Sequence, residues 1–234
     1  EENFQTPRLH LNRELRFYGS MSFDGALWFG GGITNPSEDN QYVVRSKAGN
    51  PTSNPAGRNG QQYYSPTGYF IRKLVSHNTV APKGSFTEEK YFWPLMRVAD
   101  LYLLYAEALN ETKTAPDAEV YKYLNMIRER AGLKSIEESW TNYSKNPDKF
   151  KTKDGMRDII HQERLIELSF EGNYYYDIRR WSGGVKRDRY DIMTQLNTPI
   201  KGWNIDGLET EDYYQIKTVY TLKFGLRDYL WPIK

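Results

Sequence analysis

Two groups of side chains in this 234-residue sequence have the types and spacing for chemistry. The first lies in residues 26–66, a segment rich in Gly, Pro, Asn and Gln that also carries Trp and Tyr. A structureless stretch of this length is uncommon inside a compact domain and is more often functional or disordered. Aromatic rings among polar loop residues favour an ordered, functional segment, and we expect it to contact a ligand.

The second group is a pair of carboxylates, Glu163 and Glu167, within residues 154–181. On a helix both fall inside the apolar stripe formed by Met156, Ile160 and Phe170. A buried carboxylate is unfavourable unless it is paired and hydrogen-bonded. We therefore expect structural ion pairs between these glutamates and arginines close in sequence or on the preceding helix, namely Arg128, Arg164 and Arg179.

Catalysis by the same pair is the alternative. Residues four apart on a helix have Cβ atoms about 6 Å apart, and retaining glycosidases hold their two carboxyl groups ~5–5.5 Å apart. Distance alone therefore does not exclude a glycoside hydrolase using Glu163 and Glu167. A general acid needs a raised pKa, whereas neighbouring arginines favour the ionised form of both groups. We predict that the protein is not an enzyme.

Composition excludes several other classes of protein. Lysine and arginine total 32 against 30 aspartates and glutamates, so the overall charge does not point to nucleic acid or an anionic surface. The absence of cysteine excludes disulfides, thiolate metal sites and a cysteine nucleophile. The three histidines are dispersed, which argues against zinc, and the spacing of Asp24, Asp188, Asp191 and Asp206 does not support calcium. We expect no metal and no cofactor.

Hydrophobic periodicity predicts the elements that must position these residues. Apolar residues at helical spacing predict two helices in residues 93–132, joined as an antiparallel hairpin of tetratricopeptide type. Residues 154–184 repeat this plan, with Gly172 ending the first helix in a left-handed conformation. Residues 133–153 read as a polar connection. Leu101, Leu104 and Tyr105 remain as an apolar stripe that needs cover.

Strands are predicted only outside the hairpins. Residues 16–24 alternate, Asp24-Gly25 marks a hairpin turn, and residues 26–29 predict the returning strand. Residues 214–222 alternate as well, within an otherwise irregular segment 185–234. The fold class is therefore mainly α, with tetratricopeptide-like helical hairpins, long loop insertions and a few short strands.

Six segments, in family order, resemble the SusD/RagB outer-membrane lipoproteins. They are NRELRFYGSMSFDG at 12–25, TGYFIRKL at 67–74, WPLMRVADLYLLYAEALNE at 93–111, YLNMIRERAGL at 123–133, IIHQERLIELSFEGNYYYDIRRW at 159–181 and KFGLRDYLWPI at 223–233. Members of that family are about twice this length. The resemblance implies that residues 1–234 are a C-terminal region and that an N-terminal half, with the anchoring cysteine, is missing.

The resemblance implies a noncatalytic binding protein, a surface-exposed lipoprotein of the cell outer membrane. Such proteins bind oligosaccharides and deliver them to a SusC-type TonB-dependent transporter; in the RagB branch the ligand is a peptide, and that alternative stays open. The implied partners are the transporter, the oligosaccharide and the missing N-terminal half, with no nucleic acid.

The resemblance also places glycan contacts in the loop that corresponds to residues 26–66. Sugar rings present C–H faces to Trp and Tyr, and their hydroxyls bind Asn, Gln and Arg. The candidate ligand-binding residues are Trp28, Tyr42, Arg45, Asn59, Gln61, Tyr63 and Tyr64. For Trp28, packing beneath the loop is an equal alternative, and Tyr63 and Tyr64 form either a platform or the rim of the core.

Overall fold

The computed structural model describes residues 6–28, 42–49, 56–58, 64–76, 78–79, 87–182, 196–225 and 228. These residues divide between two compact units. The helical unit comprises Asn12–Ser20 and Tyr91–Tyr174, and the strand unit comprises Glu1–Leu11, Met21–Lys90 and Tyr175–Lys234. The predicted class, mainly helical with a few short strands, is confirmed.

The helical unit has a single apolar core. Its helices are α1 (Leu15–Ser20), α2 (Val98–Thr112), α3 (Ala118–Arg130), α4 (Ile136–Tyr143) and α5 (Lys153–Glu167). Helix α2 packs against both α3 and α5. The fully buried side chains of this core come from all the helices after α1 and include Leu103, Leu124, Ile136, Met156 and Ile160.

Capping residues define where these helices begin. The Asp117 side chain accepts hydrogen bonds from the backbone N–H groups of Glu119 and Val120, as the predicted start of α3 requires. At the other end of α3, Gly132 is left-handed with φ 72°, and the N–H of Leu133 donates to the carbonyl of Arg128. This left-handed ending turns the chain towards α4.

Helix α4 was not predicted, because residues 133–153 were read as a polar connection. The signal was nevertheless in the sequence, since Ser135 and Glu138 have capping spacing. The Ser135 hydroxyl accepts from the N–H of Glu138, and Ile136 at the start of the helix is fully buried. The short length of the helix and its low apolar content explain why periodicity missed it.

Phe170 lies outside the core, so its predicted place in the buried stripe is wrong. Helix α5 ends at Glu167, and the Phe170 backbone is left-handed with φ 66°. Helical spacing no longer applies after Glu167, and the Phe170 side chain is 42% exposed. Gly172 is left-handed with φ 84°, but it follows this turn and directly precedes helix α6 (Asn173–Ser182), which runs from the helical unit into the strand unit.

The strand unit contains three separate two-stranded antiparallel ladders among its described residues. Strand β1 (Met21–Phe23) pairs with β4 (Tyr69–Ile71), with Ser22 opposite Phe70. Strand β2 (Leu27–Trp28) pairs with β3 (Tyr42–Val43), with Trp28 opposite Tyr42. Strand β5 (Pro199–Trp203) pairs with β6 (Ile216–Thr221) and has an irregularity between Ile200 and Lys201. Helix α7 (Thr210–Tyr213) lies between these last two strands in sequence.

Two strand predictions therefore need correction. Residues 16–20 of the predicted first strand belong to α1, and only Met21–Phe23 is extended. The turn at Asp24-Gly25 does form, since the N–H of Ala26 donates to the carbonyl of Phe23. However, β1 pairs with β4 instead of β2. Strand β2 pairs with β3, which lies within the long insertion. The late strand predicted at 214–222 is confirmed as β6.

Aromatic rings around His10 form the core of the strand unit. The His10 ring stacks on Phe23 with centroids 4.0 Å apart, and Tyr69, Trp203 and Tyr214 meet it edge-on. Both His10 ring nitrogens are hydrogen-bonded, Nδ1 to the Thr6 hydroxyl at 2.6 Å and Nε2 to the Tyr69 hydroxyl at 2.9 Å.

Among the residues described above, no helix is both long and apolar enough to cross a lipid bilayer.

Candidate functional site

Helix α5 places Glu163 and Glu167 one turn apart on its buried face, where they are 4% and 2% exposed. Arg16 contacts both, with its Nη1 2.7 Å from Glu163 Oε1 and 3.2 Å from Glu167 Oε2. Arg128 approaches Glu163 Oε2 at 3.2 Å. Arg97 Nη1 lies 2.9 Å from Glu167 Oε1. Each carboxylate is therefore bound by at least two guanidinium groups.

The electrostatics of this network favour its charged form. Burial opposes the charge on Arg16, but hydrogen bonds and attraction from Glu14 and Glu163 raise its pKa well above the ordinary value. A hydrogen bond from Arg97 to Glu171 is the largest cause of the raised pKa of Arg97. The arginines stay protonated at any physiological pH. In this arrangement the two buried carboxylates brace the helices through their arginines, and neither is exposed to a substrate as a general acid would be.

The expected arginine partners have different positions in the structure. Arg128 contacts Glu163, whereas Arg164 points to Asp100 with an Nη1–Oδ1 distance of 2.8 Å. Arg179 belongs to the strand unit, where its guanidinium lies 3.5 Å from the centre of the Tyr175 ring and donates to the Tyr175 carbonyl.

Arg130, on the preceding helix α3, also contacts Glu167, with its Nη2 2.5 Å from Oε1. Two partners were not predicted, Arg16 and Arg97. Arg16 lies in a segment predicted as strand, and Arg97 precedes the first residue of α2. No periodic pattern connects these residues with α5, so sequence spacing gave no signal for the pairing.

The structure describes part of the candidate ligand-binding set. Trp28 is half-buried on β2, directly opposite the backbone of Tyr42. Arg45 is half-buried and its carbonyl accepts a hydrogen bond from Ala56. Tyr64 is exposed. The side chain of Tyr42 and the whole of Asn59, Gln61 and Tyr63 lie outside the described residues.

Tyr64 belongs to a polar, solvent-facing group that we call the Tyr64 patch. The Arg58 guanidinium carbon lies 5.6 Å from the centre of the Tyr64 ring. Arg58 Nη1 is 2.7 Å from Asp206 Oδ1, and both side chains are about half exposed. Lys47 Nζ donates at 2.5 Å to the hydroxyl of Thr210, which follows Asp206 by four residues. The patch is defined as Lys47, Arg58, Tyr64, Asp206 and Thr210.

Backbone hydrogen bonds hold the segments of the Tyr64 patch together. The Ala56 N–H donates to the Arg45 carbonyl, which brings residues 56–58 alongside residues 45–48. The Ala48 N–H donates to the Gly207 carbonyl at 3.0 Å, and Gly207 closes a turn by donating to Asn204. The turn at 204–207 thus carries Asp206 to Arg58, so the patch is assembled from sequence segments about 150 residues apart, as the separation of 148 between Arg58 and Asp206 shows.

A buried polar cluster fixes the segment that carries Lys47. Asp24 Oδ1 accepts from the Ser46 N–H at 2.8 Å, and the Ser46 hydroxyl is 2.7 Å from the Tyr213 hydroxyl. Burial raises the pKa of Tyr213 and of Tyr214 well above the ordinary tyrosine value. These phenols therefore remain neutral hydrogen-bonding groups, and they hold the segment rigidly.

Asp24 thus serves the fold. In the described parts of the chain no group of three or more His, Cys, Asp or Glu side chains is placed to hold a metal ion. Asp188 and Asp191 lie outside those parts. Asp206, considered in the sequence only as a possible calcium ligand, instead pairs with Arg58.

Sequence reasoning found Tyr64 but missed most of its patch. Arg58 lies inside the aromatic insert but was not singled out, and Lys47 was passed over in the same segment. Thr210 and Asp206 lie far away in sequence, in a segment expected to be irregular. Among the described side chains, no hydrogen bond or ring contact joins Trp28 to Tyr64, so these two predicted residues do not form one cluster.

Curated proteins that are described as SusD-like are similar to this chain in sequence. SusD-like protein P2 of Formosa agariphila is 44% identical over 85 residues, which are 36% of this chain and 16% of that protein. SusD-like protein P25 of the same organism is 36% identical over 87 residues, which are 37% of this chain and 15% of that protein. The chain therefore matches only about a sixth of the length of these curated relatives.

Solved structures share the fold over almost the whole chain. A SusD-like protein of Bacteroides fragilis superposes with a TM-score of 0.68 at 24% identity, covering 95% of this chain and 36% of that one. A SusD-like carbohydrate binding protein of the same species gives a TM-score of 0.65 at 20% identity, covering 96% and 40%. The sequence profile of the SusD family matches residues 3–234. The chain therefore belongs to the SusD family.

Proposed function

We propose that this chain forms part of a noncatalytic binding protein that captures oligosaccharides at the cell surface. The observation that carries the proposal is the Tyr64 patch, where an exposed aromatic ring stands beside an exposed arginine–aspartate pair. Family membership supports glycan binding in general, and one solved relative is named as a carbohydrate binding protein.

The chemistry of the Tyr64 patch matches a sugar ring. The C–H face of a pyranose lies on an aromatic ring, while planar groups such as guanidinium and carboxylate bind pairs of adjacent hydroxyls. Arg58, whose guanidinium carbon lies over the Tyr64 ring at 5.6 Å from its centre, supplies donors, and its partner Asp206 supplies acceptors. Stacking on one aromatic ring contributes on the order of 1–2 kcal/mol, judged from the area that an aromatic side chain buries.

We also propose that Trp28, Tyr42, Arg45, Asn59, Gln61 and Tyr63 extend the site along the insert 26–66. The position of Trp28 opposite the backbone of Tyr42 supports this, because the β2–β3 ladder brings two parts of the insert together. The half-exposed ring of Trp28 is then a second stacking surface, separate from Tyr64.

Glu163 and Glu167 have a structural role in this proposal. Both carboxylates are buried and bound by arginines, so neither is exposed to a substrate as the acid of a glycosidase would be. Binding without hydrolysis is the activity that the Tyr64 patch supports best.

The remaining parts of the proposal concern partners. The chain is expected to work within a longer surface lipoprotein of the outer membrane that delivers its ligand to a SusC-type TonB-dependent transporter. Helix α2 supports such partners, because Val98, Leu101 and Tyr105 are exposed while its opposite face lies in the core. A helix that is apolar on all sides is normally buried. We propose that the N-terminal part of the longer protein covers this face.

A binding screen of the full-length protein tests the proposal. Oligosaccharides that score on a glycan array are titrated calorimetrically against the wild type, Tyr64→Ala and Trp28→Ala. Each substitution is expected to weaken binding about tenfold, the factor that corresponds to 1.4 kcal/mol. Circular dichroism should show the fold unchanged.

Tyr143→Ala is the matched control, because Tyr143 is also an exposed tyrosine but lies on α4 in the helical unit. Its affinity is expected to equal that of the wild type. If the loss at Tyr64 and Trp28 is no greater than at Tyr143, the insert is not the binding surface. If peptides bind and no glycan does, the peptide-binding alternative replaces the proposal.

A further inference from the structure

One part of an otherwise balanced chain lacks acidic side chains. The whole sequence has 32 lysines and arginines against 30 acidic residues. Residues 42–76, by contrast, contain no aspartate or glutamate, and their cations are Arg45, Lys47, Arg58, Arg72 and Lys73. A surface with one sign of charge raises the local concentration of ligands with the opposite sign. This segment provides most of the Tyr64 patch.

The positive charges at the Tyr64 patch are only partly compensated. Lys47 Nζ donates to the hydroxyl of Thr210, a neutral group, so that bond leaves the charge of the ammonium in place. Arg58 bonds Asp206 through Nη1, and a guanidinium has five N–H donors in all. Because both members of this pair are about half exposed, the ion pair is of the weak, solvent-screened kind.

Arg58 lies close enough to Tyr64 to contact a ligand that packs on that ring. A sugar ring stacked on Tyr64 brings its substituents to the guanidinium, which lies 5.6 Å from the ring centre. Guanidinium groups bind carboxylate and sulfate-like oxyanions through two parallel hydrogen bonds, more strongly than they bind neutral hydroxyls. A negatively charged substituent therefore fits this position better than a neutral one.

We infer that the oligosaccharide bound at the Tyr64 patch is anionic, with a uronate carboxylate or a sulfate ester beside the sugar ring that stacks on Tyr64. The inference rests on the proposed glycan binding and specifies the chemical class of its ligand. Arg58 binds the oxyanion, Lys47 adds a second positive charge, and Asp206 orients Arg58 while competing with the ligand for it.

Because Asp206 competes with the ligand for Arg58, the inference predicts the direction in which affinity changes when this carboxylate is removed. With an anionic ligand, Asp206→Asn removes a repelling carboxylate and frees Arg58, so affinity should rise about twofold to fivefold, comparable to the effect of other single surface charges. With a neutral ligand, Asp206 is a hydroxyl acceptor and the same substitution should lower affinity. The direction of the change separates the two classes of ligand.

The experiment uses matched ligand pairs and the full-length protein. Galacturonate oligosaccharides are compared with their methyl-esterified forms, and sulfated galactan oligosaccharides with their desulfated forms, by titration calorimetry at low and high salt. We expect one anionic member to bind at least about tenfold more tightly than its neutral counterpart, with affinity falling as salt rises. The arm that shows this identifies uronate or sulfate as the charged group.

Variants then assign the effect to the patch. Arg58→Ala should remove most of the preference for the anionic member, Arg58→Lys should retain part of it, and Asp206→Asn should increase it. Lys145→Ala, an exposed lysine in the helical unit, is the control and should change nothing. Equal affinity for both members of each pair, or a loss of affinity in Asp206→Asn, overturns the inference but leaves glycan binding intact. Binding to no glycan in either pair or on an array overturns the proposed function and this inference together.

Discussion

Replacement of Glu167 by alanine removes a carboxylate on which three arginines converge. Glu167 is 2% exposed and lies within 2.5–3.2 Å of Arg130, Arg97 and Arg16. Removing one partner of a buried ion pair destabilises a protein by about 3–5 kcal/mol, mainly because the remaining charge is left uncompensated. The size of the effect here depends on what each arginine retains.

The three arginines retain different partners after the substitution. Arg16 still has Glu14 at 2.8 Å, and Arg97 still has Glu171 at 2.6 Å. The Arg130 side chain is 58% exposed and can be hydrated. We therefore place the loss at the lower end, about 3 kcal/mol. In a domain of 150–250 residues 1 kcal/mol shifts Tm by roughly 2–4 °C, and in a longer protein by less, so we expect a fall of roughly 12 °C at most.

Thermal unfolding of the full-length protein, followed by circular dichroism, measures this effect. Glu111→Ala is the matched control, since Glu111 also binds an arginine, Arg157, but its side chain is 39% exposed. Exposed pairs contribute about 0–1 kcal/mol, so the control should melt within a few degrees of the wild type. An unchanged Tm for Glu167→Ala would refute the argument from burial, and equal falls for both variants would do the same.

Three further outcomes are expected. Burial raises the pKa of Tyr213 and Tyr214. Their contribution to stability is therefore complete below pH ~10, where unfolded tyrosine ionises, and is lost as pH rises further. The melting temperature should fall above that pH, while absorbance at the phenolate band should show both groups still protonated in the folded state. Asp117→Ala should destabilise α3 by about 1 kcal/mol, because it removes two N-cap bonds, and urea unfolding measures that loss. Gly68→Ala should destabilise the strand unit by more than ~1 kcal/mol in the same assay, because Gly68 has φ 75° and an added Cβ would lie 2.6 Å from the Tyr213 hydroxyl; unchanged stability in any of the three contradicts its reasoning.

Helices were predictable from sequence where local physics decides them. The apolar side chains of α2 and α3 repeat at short, fixed intervals, and Asp117 caps α3 locally. The hairpin predicted in residues 93–132 agrees with the bounds of these helices to within a few residues. Leu95 marks the limit of this reasoning, since it continues the apolar stripe but precedes the helix, which begins at Val98. Helix α4 was missed because its apolar face is only a few residues long.

Strand pairing and the Tyr64 patch were not predictable, because both depend on distant contacts. Alternation identifies β1 and β6, but no local signal tells β1 to pair with β4 across the insert. Tyr64 was selected by its type and polar surroundings. Its partner Arg58 is fixed by Asp206, 148 residues further along the chain, and only the folded structure brings the two together.

Contacts between residues far apart in sequence hold each unit together, and this has a consequence for folding during synthesis. In the helical unit Arg16 contacts Glu167, 151 residues later. In the strand unit Tyr214 donates to the carbonyl of Asp24, 190 residues earlier, and Tyr213 bonds Ser46 across 167 residues. When residues 16–46 leave the ribosome, the later residues that contact them have not yet been synthesised.

The order of emergence therefore separates the two units in time. Among the described residues, Arg16, Arg97 and Arg128 have their glutamate partners once residue 171 has been made, whereas the ring cluster of the strand unit must wait for residues 203–214. Long-range contacts of this kind slow folding, because loop closure must precede them. Until then the rings of Phe23 and Tyr69 lack Trp203 and Tyr214, and the unfinished strand unit exposes apolar surface to chaperones.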